Sequence, residues 1–320
     1  MRIATFNLEN LDEGEEPTLE ERIKILRPQI KRLWADILCF QEVHGQERPD
    51  EKRDILALKS LLRNTRFEDA EYACTKTSAN EVYDKRNLVI FSQYSIKQSE
   101  SIYMDFLSHK IQYNLFTDTE DAIKKIGWER PVLHVQINLP NGQLLHVINV
   151  HLKSRIPTVI PNQKKDSYTW KTVSGWAEGY FVSSMKRVGQ ALEVRLLIDD
   201  IFNKEPDALI VVYGDFNAHS GEVPVETICG TVENTGNPDL VSRVILPCEY
   251  AIPKSLRYTH IHYGQKNLLD HMLVSRQMTK YFSGAQIQNE SLHDETTAFA
   301  MDVKYPESDH APFVAEFNLE

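Results

Sequence analysis

Short apolar runs rich in β-branched and aromatic residues recur along the whole of this 320-residue chain, with polar pairs standing where the runs end. The runs cover residues 3–6, 37–41, 88–91, 132–138, 144–150, 209–213, 269–275 and 313–317. Segments this short, bounded by turn residues, read as buried strands. Two of them flank Pro140-Asn141-Gly142, which predicts a β-hairpin. Residues 9–17 read as a polar, acidic loop. Thr18 with Glu21 makes a capping box, after which Ile23, Leu26, Ile30 and Leu33 recur at helical spacing, with Pro28 placed to bend the helix. A second helical pattern, 187–202, stacks Val188, Leu192 and Leu196 at i, i+4 and i+8. Strands and helices mixed in this way predict an α+β chain, two sheets face to face with helices outside, as one domain over 1–320.

A net charge of -10 argues against bulk electrostatic coating of nucleic acid, since that needs clustered Lys and Arg. A local basic patch stays compatible with it. Cys39, Cys74, Cys229 and Cys248 are too scattered for a zinc or redox motif and read as free thiols. No apolar stretch approaches a membrane span, and the opening Met-Arg-Ile-Ala-Thr-Phe is unlike a secretory signal. The expectation is a cytoplasmic protein without stable membrane insertion, with a monomer favoured.

The polar pairs are Asn7 with Glu9, Gln41 with Glu42, Asn149 with His151, Asp215 with Asn217, and Asp309 with His310. A lone carboxylate past a strand is usually a turn residue or a cap. Their joint occurrence points elsewhere, because hydrolysing a phosphate ester requires a hard cation on oxygen ligands, a group to orient water and an acid for the leaving group. Asn7, Glu9, Glu42 and Asp309 are suitable oxygen ligands for Mg²⁺ or Mn²⁺, and the histidines are suitable acids.

Thr-Phe-Asn-Leu-Glu-Asn at 5–10, Cys-Phe-Gln-Glu-Val at 39–43, Ile-Asn-Val-His-Leu at 148–152, Gly-Asp-Phe-Asn at 214–217, Leu-Asp-His at 269–271 and Ser-Asp-His at 308–310 resemble, in this order, the endonuclease/exonuclease/phosphatase superfamily. Lys153-Ser154 and the later Lys-Arg-Val-Gly-Gln-Ala are similar to uncharacterised bacterial members. The resemblance implies a four-layer α/β/β/α sandwich with the active site at one edge. It makes Glu42 the principal metal ligand, with Asn7 beside it and Glu9 and Asp309 completing the shell. Asp215 would orient or deprotonate the attacking water, Asn217 would hold the scissile phosphate, and His310, oriented by Asp270, would stabilise its charge. His151 matches the leaving-group histidine of pancreatic-type deoxyribonucleases, phosphodiesterases and sphingomyelinases, which abasic-site repair members lack. Arg130, Asn87 and Asn149 would contact substrate, a surface salt bridge being the ordinary alternative for Arg130.

Between Leu152 and Arg187, basic residues interleave with Tyr168, Trp170, Trp176, Tyr180 and Phe181, so 154–187 reads as a substrate-side insertion or lid. Such a mixture suits a nucleic-acid strand, and it suits equally a loop anchored by its aromatics. His271, His44, His109, His134, His146, His219, His260, His262 and His293 read as packing residues, although His260, in Arg-Tyr-Thr-His, could approach the site. The leading expectation is a metal-dependent phosphodiesterase, a nuclease on DNA or RNA. The alternatives are a phosphatase or phospholipase-type hydrolase on an inositol phosphate, sphingomyelin or nucleotide, and a catalytically silent binding module.

Overall fold

The computed structural model describes residues 1–14, 16–107, 111–116, 123–301 and 304–319; His109 lies outside them. The apolar runs become strands, several longer than their pattern suggests. Arg2–Leu11 continues through part of the expected acidic loop, and Leu209–Asp215 carries its strand to the carboxylate. Two six-stranded sheets result. One runs Phe282–Ile287, Phe313–Phe317, Arg2–Leu11, Ile37–Val43, Asn87–Ser92, Glu71–Cys74. The other runs Ile245–Pro247, Asp270–Ser275, Leu209–Asp215, Leu144–His151, Val132–Asn138, Ile96–Ile102. The hairpin at Gly142 joins the antiparallel pair Val132–Asn138 and Leu144–His151 as expected.

Alternation along each strand builds the layers. Ile3, Ile37, Leu88, Val147, Val211, Met272 and Phe313 point between the sheets into a common core. Ala4, Phe6, Leu8, Leu38 and Phe40 face outward onto Leu26, Ile30 and Leu33 of the helix Leu19–Leu33, whose Thr18 and Glu21 form the expected capping box. On the far side Ile148, Val150, Ile210 and Val212 pack against Ala191, Val194, Ile198 and Ile201 of the helix Val173–Lys204. The layers are therefore α/β/β/α.

That long helix differs from its expected form in two ways. It begins at Val173, inside the expected lid, and its buried face is not the Val188–Leu192–Leu196 stripe, since Leu192 is exposed. The buried face carries Arg187, Gln190 and Glu193, all hydrogen-bonded, and these polar residues masked its period. Residues 154–172 lie against the start of that helix. Thr158 donates to the Gly179 carbonyl at 3.0 Å and to Ser183 Oγ at 2.9 Å, and a Cβ at Gly179 would lie 2.4 Å from the Thr158 carbonyl oxygen. Gly179 permits this close approach of the segment to the helix.

In each sheet only the central pair is parallel, Arg2–Leu11 with Ile37–Val43 and Leu144–His151 with Leu209–Asp215. Parallel strands end together, so all four C-terminal ends gather at one edge of the sandwich. Below that edge Gln41 Nε2 donates to Thr5 Oγ1 (2.9 Å) and to Asn149 Oδ1 (2.7 Å), bridging the sheets with buried polar groups. Gly214, φ 130°, is the tightest point, since a Cβ there would sit 2.0 Å from the Val150 carbonyl oxygen. Gly214→Ala is expected to cost well above the ~1 kcal/mol of an average substitution. Gly142→Ala meets open space at φ 80° and is expected to cost about 1–2 kcal/mol for the left-handed backbone alone. Urea midpoints of the two variants should rank them in that order.

Candidate active site

Asp215 is the hub of the cleft at this edge. Its Oδ2 accepts from Asn7 Nδ2 at 3.2 Å and Asn217 Nδ2 at 3.1 Å, faces His151 Nε2 at 3.3 Å and lies 3.9 Å from His310 Nε2. Its Oδ1 accepts from the Asn217 backbone N–H at 2.8 Å. Glu42 Oε1 stands 3.5 Å from His151 Nε2, and Glu42 Oε2 accepts from Asn10 N at 3.1 Å. Glu9 closes the other side, its Oε2 accepting from Asp309 N at 3.0 Å. Residues more than 200 apart in sequence thus share one cluster of side chains.

Local backbone geometry aims these groups. Ladder register breaks between Asn7 and Leu11 and between Phe40 and Val43, and such bulges re-aim side chains at strand ends. Glu9, Glu42 and Asn217 all take left-handed backbone, φ 46°, 59° and 49°. Non-glycine residues seldom do so, and such strain gathers at functional sites. Ser308 Oγ donates to the Asn7 carbonyl at 2.7 Å and accepts from His310 N at 3.1 Å, fixing the Ser-Asp-His turn against the first strand.

The two histidines are held in opposite states. His310 Nδ1 donates to Asp270 Oδ2 at 2.7 Å. Burial opposes its charge, but Asp270, Asp309 and Asp215 outweigh burial and hold its pKa well above the ordinary histidine range. For His151, burial and then the Arg130 guanidinium against its Nδ1 push the pKa well below that range. Arg130 can only donate, so His151 Nδ1 accepts and its proton sits on Nε2, toward Glu42 and Asp215. Among the carboxylates, burial, followed by repulsion from Asp309, pushes Glu9 up to about 8. Burial also raises Asp309, and it raises Asp215 to about 7 against the pull of His310.

Two expected substrate contacts are placed otherwise. Asn149 and Asn87 have no exposed surface. Asn149 Nδ2 donates to the Phe40 and Val89 carbonyls and its Oδ1 accepts from Gln41, so it ties the sheets together below the cleft. Asn87 Nδ2 donates to the Val43 and Tyr83 carbonyls and its Oδ1 accepts from Tyr83 N, so it fastens the turn before its own strand. Both are corrected to supporting positions, their amides being committed to backbone groups. Arg130 is buried in the cleft, so the surface salt bridge is the reading that fails. His271 packs in the core as expected, yet with a definite job: it bonds Glu249 Oε1 at 2.7 Å and the Ala218 carbonyl at 2.8 Å, behind the 214–218 loop.

The sequence reading missed Lys85 and Arg86. Arg86 Nε lies 4.0 Å from Glu42 Oε2, and with Asn10, His44, Lys85, Glu129 and Arg130 it lines a pocket of about 460 Å³ adjoining the cleft. The available signal was a consecutive basic pair directly before a strand. A larger concavity, about 760 Å³, lies among Tyr72, Lys76, Tyr83, Ser99 and Tyr103 and holds none of the clustered catalytic candidates. The chemistry, rather than cavity size, locates the site. Of the aromatics in 154–187, Trp170 packs into a satellite cluster, while Tyr168, Trp176, Tyr180 and Phe181 stay exposed, Trp176 stacked on Tyr180 at 5.7 Å.

A model of the Endonuclease/Exonuclease/phosphatase family matches residues 4–310, which takes in every residue of the cluster. The chain belongs to this family. The family's members are hydrolases of phosphoester bonds. Among solved structures, an endonuclease/exonuclease/phosphatase family protein from Leptotrichia buccalis is similar over 100% of both chains, with TM-score 0.55 and 16% identity. A family protein from Bacteroides vulgatus covers 100% of this chain and 98% of its own at TM-score 0.58 and 16% identity. TDP2 of D. rerio, described as complexed with single strand DNA product, covers 100% of this chain and 99% of its own at 0.56 and 16%. At such identities these likenesses speak for the fold. No curated protein matches the chain in sequence. The donor set suits the hard dication expected from the family resemblance: Asn7, Glu9, Glu42 and Asp309 offer oxygen ligands, and burial with like-charge repulsion raises Glu9 and Asp309, a crowding of carboxyls that a bound cation would relieve.

Proposed function

We propose that this protein is a divalent-metal-dependent phosphodiesterase that cuts nucleic-acid strands. The observation that carries the proposal is the single cleft in which Glu42, Asp215 with Asn217, His151 on Arg130 and His310 on Asp270 converge. Mg²⁺ or Mn²⁺ would be held by Glu42 and Asn7, with Glu9 and Asp309 in support, and when bound it supplies charge neutralisation at the phosphate. Asp215 orients the attacking water and draws its proton. Asn217 and the charged His310 hold the non-bridging oxygens, and Asp270 keeps His310 charged and aimed. The neutral His151 presents its Nε2–H to the leaving oxygen. Burial of Asp215, His151, Asp270 and His310 makes their interactions stronger than in water.

Two features favour a polymer. The Lys85, Arg86 and Arg130 pocket beside Glu42 fits a second, flanking phosphate, and the exposed Trp176–Tyr180 stack offers a face to a base. The net charge of -10 favours a second reading, a small phosphate ester such as a nucleotide, an inositol phosphate or a lipid headgroup. The complete set of groups leaves little support for a silent module. Supercoiled DNA, oligonucleotides, bis-nitrophenyl phosphate and nitrophenyl phosphate, each with Mg²⁺ or Mn²⁺, separate these readings, with His310→Ala as blank. Cleavage of DNA and the diester, abolished by chelator, is expected, whereas turnover of the monoester alone would move the assignment to the small ester. Reversing the pocket with Lys85→Glu and Arg86→Glu is expected to raise KM for oligonucleotides at least tenfold while changing bis-nitrophenyl phosphate kinetics little. Equal effects on both would remove the flanking-phosphate role.

A further inference from the structure

Beside the catalytic cleft lies a second set of ligating groups, of which the proposed mechanism uses only Asp309. His260 and His262 stand two apart on the strand His260–His262, so both rings leave the same face, 6.1 Å apart and 25° from parallel. Glu295 Oε2 sits between them, 3.2 Å from His260 Nε2 and 3.0 Å from His262 Nδ1. Asp309 completes the group, with ligand atoms of His260, Glu295 and Asp309 all within 4.8 Å of one another. His260 Nδ1 and Asp309 Oδ1 are buried there without a hydrogen-bond partner among the described residues.

We propose that His260, Glu295 and Asp309 form a second cation site, selective for a transition dication such as Zn²⁺, with His262 bonded to Glu295 at its rim. One imidazole and two carboxylates, with the fourth position left to water, are a mixed nitrogen and oxygen set that Zn²⁺ accepts in tetrahedral geometry, whereas Mg²⁺ prefers oxygen and keeps its waters. The frame is already assembled. The turn of the hairpin His260–His262 and Gln265–Asn267 docks on the start of the helix Glu295–Met301, with Tyr263 N donating to Thr296 Oγ1 at 2.8 Å and Gly264 N to Asp294 Oδ2 at 2.6 Å. Those bonds hold Glu295 against both histidines. An ion at this position would tie hairpin and helix to the Ser-Asp-His turn, next to His310, whose ring lies 5.4 Å from that of His260. The site shares Asp309 with the candidate catalytic set and is otherwise built from different residues.

The test is the stoichiometry of Zn²⁺ binding to the full chain, measured calorimetrically, with unfolding midpoints as the control for folding. Wild type is expected to bind two equivalents. Glu295→Gln and His260→Ala are each expected to lose one and to keep the other, and Glu42→Gln to lose the other instead. Glu295 is exposed, so its variant is expected to fold as wild type does. One equivalent that is lost with Glu295→Gln and retained in Glu42→Gln would support this site while removing the metal from the catalytic proposal. Binding unaffected by Glu295→Gln, or no Zn²⁺ bound by wild type, would overturn it and leave His260, His262 and Glu295 as an ion-pair network.

Discussion

Asp215→Asn is expected to lower turnover of a phosphodiester by about 10²–10⁴-fold, the usual contribution of a group that takes a proton in the transition state. Asparagine keeps the shape and can still receive the Asn7 and Asn217 amides in part, so the fold should persist. Folding and activity should in fact move in opposite directions. Burial raises Asp215 from 3.8 to about 7 in the metal-free protein, so the folded state holds that proton more tightly than the unfolded chain does. The stability linked to it is present below pH ~4 and is lost as the pH rises toward 7. Metal-free Asp215→Asn should therefore be as stable as wild type at pH 4 and more stable at pH 8, read from urea midpoints in chelator. Unchanged turnover would sink the assigned role of Asp215, and a loss of stability at pH 8 would sink the electrostatic account of its burial.

His271→Ala is expected to cost about 3–5 kcal/mol, since it removes one partner of a buried ion pair and strands the other. Neither His271 nor Glu249 has exposed side-chain surface, and the ring bonds two acceptors, the Glu249 carboxylate and the Ala218 carbonyl. Both ring nitrogens must then carry protons. Burial opposes that charge, but Glu249 and the Ala218 carbonyl outweigh it and raise the pKa. With the folded pKa above the unfolded one, this contribution is full below pH ~6.5 and fades as pH rises through the folded value. The stability difference between wild type and His271→Ala should shrink in alkaline buffer. Because Ala218 follows Asn217, the variant should also loosen the loop carrying Asp215 and Asn217 and lower turnover. A double change, His271→Leu with Glu249→Leu, is expected to recover much of the stability, since apolar replacement of a buried pair is often neutral. No recovery would show that the Ala218 bond, rather than the ion pair, is what matters.

The elements whose buried face is mostly apolar were legible in the sequence. The strands at 132–138 and 313–317, the capped helix after Thr18 and the hairpin at Gly142 all carry local chemistry strong enough to decide them. The edge strand Ile96–Ile102 was not, because five of its seven residues, Lys97 to Ser101, are polar and leave no alternation to read. The helix Val173–Lys204 was half hidden for the converse reason, its inner face holding Arg187, Gln190 and Glu193.

The cluster divides along the same line. Glu42, His151, Asp215, Asn217, Asp270, Asp309 and His310 stand in short motifs whose residue types declare their chemistry, and the sequence by itself set their identity and order. Which amide faces substrate is a matter of what lies across the sheet, and only the tertiary structure turned Asn149 and Asn87 inward onto backbone carbonyls. The protonation of the two histidines is likewise not a property of their neighbours in sequence. Burial, then Arg130, keeps His151 neutral, and Asp270 keeps His310 charged, across 21 and 40 residues, because two parallel strand pairs end at one edge and press those side chains together out of water. Sequence chose the groups; burial and through-space charge, which have no local signature, decided the protonation state in which the two histidines are held.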